Sequence, residues 1–239
     1  MRRDERPLSA VPRWLWLVLA AALGAQLVWQ LPGRPHSPAA ADLPPAPSVQ
    51  ALRLAAFAEP EALARIAMLY LQSFDLGGGN VLPYQKLDYQ RLVAWLRSIL
   101  ELDPRSDYPL FSAARIYAEV IDPARSRIAL DFVYQEFFRD PNRRWPWLAH
   151  GALVAKHRLG DLPLARRYAA AIDRFTTAAD VPLWAKQMEI FILEDMNELD
   201  AARVMLGGLL DSGEIRDPAE ARFLAQRLKE LEGRLGGAR

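Results

Sequence analysis

The sequence predicts an all-α fold, an α-solenoid of helical hairpins, and three observations predict it. Beyond residue 50 the apolar residues recur at three- and four-residue spacing, from Leu63, Ile66, Ala67, Tyr70 and Leu71 to Leu228 and Leu231. That is the period of an amphipathic helix. No stretch alternates apolar and polar residues for long enough to make a strand. Between about residues 88 and 211 the helices come in pairs that repeat every 36 or 37 residues, and such a unit must bury its apolar face on its neighbours.

In chain order, residues 1–13 are a short basic tail, followed by Trp14 to Leu31, eighteen uncharged residues. As a helix these span about 27 Å, close to the thickness of a bilayer core. Trp14, Trp16 and Trp29 lie near the two ends, where aromatic rings suit the headgroup level. Arg2, Arg3, Arg6 and Arg13 precede the segment and only Arg34 follows it closely. The positive-inside bias therefore predicts a single-pass inner-membrane helix with a cytoplasmic N-terminus and the rest of the chain in the periplasm. A signal peptide cleaved near Ala39-Ala40-Ala41 and a buried core helix are the competing readings. Residues 32–50, rich in Pro and Ala, read as an extended linker.

Residues 51–235 divide at Gly and Pro into helices near 60–74, 87–102, 107–120, 124–139, 145–159, 162–175, 181–196, 198–211 and 217–233. The second helix of each pair begins alike, and alignment puts Leu92, Ala129, Ala165 and Ala202 in one column at intervals of 37, 36 and 37. Pro104 and Pro141 form another column, 37 apart. The last helix, from Pro218, is apolar on one side and charged elsewhere, as a capping helix should be.

Asp88 to Pro104 (DYQRLVAWLRSILELDP), and Gly160-Asp161 followed by Ala165, resemble the second helix and turn of the tetratricopeptide repeat (TPR). About half the chain is similar. Leu153, Tyr117 and Ile190 depart from the pattern, because the family prefers a small residue there. The resemblance implies a groove lined by the first helices that binds protein segments. Its lining would include Trp147, His150, Val154, His157 and Arg158, continued by Trp184, Gln187 and Phe191. An aromatic and basic groove suits a partner with apolar and acidic groups.

Asp140 to Trp147 (DPNRRWPW) has two readings: an exposed contact patch carried by Arg143 and Arg144, or a turn fixed by Pro141 and Pro146 with the tryptophans packed inward. Lys plus Arg number 30 and Asp plus Glu 29, so no basic field points to nucleic acid. With no cysteine there is no disulfide framework and no thiolate chemistry. His150 and His157 are seven residues apart, about 10 Å along a helix, too far for easy chelation of one metal. Gly77 to Asn80 (GGGN) lacks the preceding strand and following Lys of a phosphate loop. No cofactor or metal is implied.

The resulting expectation is a non-enzymatic, membrane-anchored scaffold or adaptor of the bacterial cell envelope that binds partner proteins. An obligatory non-catalytic subunit of a membrane complex, and a small helical enzyme or ligand-binding domain using His150 and His157, are the alternatives.

Overall fold

The structure, a computed structural model, describes residues 12–30, 42–74, 82–213, 215 and 217–237. Among these residues it is all-helical: eleven α-helices, two short 3₁₀ turns and no strand. The chain divides into two compact units, one up to Ala40 and one from Ala41. The basic tail before residue 12, most of the linker and the glycine run at 77–80 lie outside the described residues.

The first unit holds α1 (Arg13–Gln30), 18 residues long. Among the described residues no helix is long and apolar enough to cross a membrane. This overturns the expected single-pass inner-membrane placement, and with it the cytoplasmic N-terminus and periplasmic repeat domain. The reason lies in the helix ends: α1 begins on a cationic residue, Arg13, and takes in Gln26 and Gln30. Spread over only 18 residues, these polar groups and the weakly apolar tryptophans leave too little hydrocarbon for a bilayer core.

The second unit runs α2 (Val49–Ala55), α3 (Pro60–Gln72), α4 (Tyr89–Leu102), α5 (Tyr108–Arg115), α6 (Pro123–Phe137), α7 (Pro141–His157), α8 (Leu162–Phe175), α9 (Leu183–Asp195), α10 (Leu199–Asp211) and α11 (Pro218–Gly237). Helices α4 to α8 all start on an aspartate, and in three of them, α4, α6 and α8, the side chain of Asp88, Asp122 or Asp161 accepts from a backbone amide in the first turn. These caps satisfy amides that have no partner within the helix. The α7–α8 and α9–α10 turns close through residues in the left-handed region, Gly160 (φ +62) and Asn197 (φ +60). Both are residue types that tolerate this conformation, and they stand 37 positions apart, one repeat.

Each helix packs mainly on its sequence neighbours: α6 on α7, α7 on α8, α8 on α9 and α10 on α11, while α5 also touches α7 and α4 touches α6. The aligned column is the core of this packing, with Leu92, Ala129, Ala165 and Ala202 all buried. Small side chains there let helices approach closely. At Gly151 the helices come close, and an added Cβ would lie 3.3 Å from Leu130 Cδ2 and 3.7 Å from Tyr168 Cδ2.

Side-chain bonds repeat the same spacing. Arg97 bonds Gln135 (38 residues apart), Arg139 bonds Glu101 (38), Arg167 bonds Asp131 (36), Asn142 bonds Thr177 (35) and Arg127 bonds Asp161 (34). Each joins a residue to the neighbourhood of its counterpart one unit away.

Two local readings of the sequence need correction. Residues 42–48, read as linker, are docked on α4: Leu43 is fully buried, and its carbonyl accepts from Arg91. The carbonyls of Pro44 and Pro47 accept from Trp95 Nε1 and Ser98 Oγ. Arg91, Trp95 and Ser98 share one face of α4 at helical spacing, so the carbonyls of this proline segment find their partners on the helix. The Trp-Pro-Trp run is likewise not a turn. Pro141 occupies the first helical position of α7 and Pro146 lies inside the helix, where its ring costs one backbone bond.

Candidate functional site

On α7, Arg143, Pro146, His150, Leu153 and His157 fall at three- and four-residue spacing, and none of them is buried. They form one open stripe. Trp147 flanks it on the α5 side, packed edge-on against Phe111 with ring centroids 5.6 Å apart. Trp145 flanks it on the other side, edge-on to Trp184 of α9 at 5.4 Å. Phe111 stacks in turn on Tyr108, at 5.9 Å. Phe111, Trp147 and Trp184 stand 36 and 37 residues apart, so the same position of three successive first helices carries an aromatic ring. Trp184 is 53% exposed, and Phe111 and Trp147 are half-buried. The Trp147 Nε1 proton is shielded from water and has no acceptor.

Of the residues expected in the groove, Trp147, His150, His157, Trp184 and Phe191 retain solvent access. Val154 and Gln187 do not, nor does Arg144 of the contact-patch reading, and those expectations are corrected. Val154 is core, packed as α7 turns toward α5. Gln187 is buried and donates to Glu220, tying α9 to α11 at 2.9 Å. Arg144 is a buried structural cation: it donates to the Glu136 carbonyl (2.6 Å), to Glu136 Oε2 (3.1 Å) and to the Pro104 carbonyl (3.1 Å). It thereby ties the end of α6 and the α4–α5 turn to the start of α7. Arg158 Nε donates to the Val120 carbonyl at 3.2 Å, which leaves it a tie between units.

The basic groups of the stripe are mostly matched by acids. Arg143 faces Asp107 (3.5 Å) and Asp140 (3.4 Å), His150 Nε2 lies 2.9 Å from Glu119, and Lys156 pairs with Asp195 of α9. His157 and Arg115 are exposed and make no ion pair among the described residues. Much of the basic charge expected of the groove is therefore already offset by acids within the fold. Electrostatics at the hairpin turn beside it are stronger: the Asp161 carboxyl is held below its ordinary range by the Leu164 amide it caps and by Arg127, 2.6 Å away. Burial pushes the Tyr168 phenol, beneath α7, well above its usual value.

His150 and His157 are separated along α7, one on Glu119 and one in solvent. Among the described residues no group of three His, Asp or Glu side chains gathers as metal ligands would. Sequence reasoning missed Tyr108, Phe111 and Leu153. The signal that finds Phe111 is the repeat itself, since it stands 36 residues before Trp147. A second open area, a groove of about 450 Å³ between α3 and α5, is lined by Ala64, Arg65, Met68, Leu69, Gln72 and Tyr108. Compared with known proteins, the chain matches no protein-family model, no curated protein and no solved structure.

Proposed function

We propose that the unit from Ala41 onward is a tetratricopeptide-like α-solenoid that works as a non-enzymatic binding scaffold, taking up a segment of a partner protein along its first helices. The repeat reading is supported by bonds one unit apart and by the left-handed pair Gly160 and Asn197. The binding reading rests above all on the aromatic row Phe111, Trp147 and Trp184 bordering an open stripe. Large aromatic side chains that keep solvent access on one surface are the residue types that dominate binding energy at protein interfaces. Because Arg143 in the stripe and Lys156 beside it are already paired with acids, the partner segment is read as apolar and aromatic rather than acidic.

Site-specific photo-crosslinking in cells tests the reading. A photoreactive side chain at Leu153 or Trp184, on the first-helix face, gives discrete protein adducts, and one at the exposed Arg174 of α8 gives none of them. Trp184→Ala removes the adducts formed from position 153 while leaving the melting temperature within about 2 °C, as expected for an exposed side chain. Equal adducts from all three positions, or none from 153 and 184, count against the scaffold.

A further inference from the structure

The two ends of the helical stack are finished differently. At the C-terminal end α11 turns outward Arg222, Gln226, Lys229 and Glu230, with Phe223 (58% exposed) the one large apolar side chain among them, a mostly polar finish of the kind terminal units of a stack need. At the N-terminal end α3 does the opposite. Its outward face carries Ala62, Ile66 (60% exposed), Leu69 (65%) and Tyr70 (40%), and the turn before it adds Phe57 at 91%. Phe57 (φ +47) and Ala58 (φ +73) both hold left-handed backbone, which costs about 1–3 kcal/mol for each non-glycine residue. A strained turn thus presents a phenylalanine to water. Glu61 and Arg65 lie along one edge of the apolar stripe, both exposed and neither in an ion pair among the described residues.

We propose that this face is the twofold interface of a homodimer, with α3 packed antiparallel on α3 of a second copy. The surface is self-complementary, as an isologous interface must be. One antiparallel register sets Glu61 against Arg65 of the second copy and Ala62 against Ile66. The same register sets Phe57 against Leu69 and Tyr70. Because the axis repeats each contact, the pairing forms two ion pairs side by side along one edge of the apolar stripe. A partner of another sequence has no reason to match an acid and a base at that spacing; a second copy supplies both.

Sedimentation equilibrium of the full chain is the test. The wild-type chain sediments as a dimer at micromolar concentration. Ile66→Glu, placing a charge at the centre of the face, leaves a monomer with an unchanged helical circular dichroism spectrum. Glu61→Arg and Arg65→Glu each set like charges together twice and raise the dissociation constant about tenfold. Glu61→Arg combined with Arg65→Glu restores the opposite-sign contacts and returns the constant to within about threefold of wild type. A monomeric wild-type chain overturns the proposal. So does a dimer insensitive to the single reversals, which is held elsewhere, or a double reversal that fails to rescue.

Discussion

Asp161 joins several jobs in one carboxylate. It caps α8 through the Leu164 amide at 2.9 Å and pairs with Arg127 of α6 at 2.6 Å. Both partners favour the charged form, so its folded pKa lies below the unfolded one. A carboxyl depressed in this way stabilises the fold above its unfolded pKa, about 3.9, and that contribution disappears as pH falls through the lower folded value. Asp161→Ala therefore costs about 1 kcal/mol at pH 7, as loss of an N-cap usually does, and the gap from wild type closes below about pH 3. Urea titrations of both proteins at pH 7, 5 and 3 measure it, and a gap that stays constant with pH would falsify the charge-based part. The Gly160-Asp161 turn was legible in the sequence because capping chemistry is local. Arg144 was not: its three acceptors belong to Glu136 and Pro104, brought to it only by packing, so a buried tie looked like a surface arginine.

At the scale of elements, the glycines separate packing from propensity. Gly207 and Gly208 sit inside α10, and a Cβ at either meets nothing within 4 Å. Alanine there removes the backbone entropy of glycine at no steric cost, so each substitution stabilises the protein by up to about 1 kcal/mol. Gly151 has the same helical setting and the opposite surroundings. A Cβ there crowds Leu130, itself fully buried and unable to retreat. Gly151→Val costs about 1–3 kcal/mol through overpacking, and denaturant midpoints of the three variants decide the order. The helices themselves were legible from period and punctuation, because each buries one stripe on its neighbours. What the pattern hid depends on contacts distant in sequence. The proline segment 42–48 reads as solvated until α4 offers donors to its carbonyls. The start of α7 was placed at residue 145, with Pro146 in the first turn where proline is tolerated, whereas the helix begins at Pro141 and runs through Pro146. The functional face was half legible for the same reason: Trp147 and Trp184 stand out by type, while Val154 and Gln187 follow the same spacing and turn inward.

For the folded unit taken whole, stability is unevenly distributed. One apolar cluster runs from Leu43 to Ile192, spanning α2 to α9. A second holds Ile190, Leu193, Ala202, Leu206, Leu224 and Leu231 and joins α9 to α10 and α11. The second is small, and much of what binds α11 is ionic: Arg227 donates to buried Glu194 at 3.2 Å, and Arg234 lies 4.0 Å from the same carboxylate. In a stack whose units contact only their neighbours, an end unit with few buried residues opens independently of the middle. Hydrogen exchange read by mass spectrometry should find α10 and α11 exchanging together and faster than α6 to α8. Arg227→Met, which leaves Glu194 buried beside only the more distant Arg234, should speed exchange in α11 at least tenfold with little change in α4 to α7. Equal protection along the whole unit would mean that the two clusters unfold as one. The carboxylate would then be an ornament of the C-terminal cap rather than its fastening. If the exchange is instead stepped, the aromatic row of the first helices rests on the slow part of the molecule, where a binding surface stays organised while the end of the stack opens.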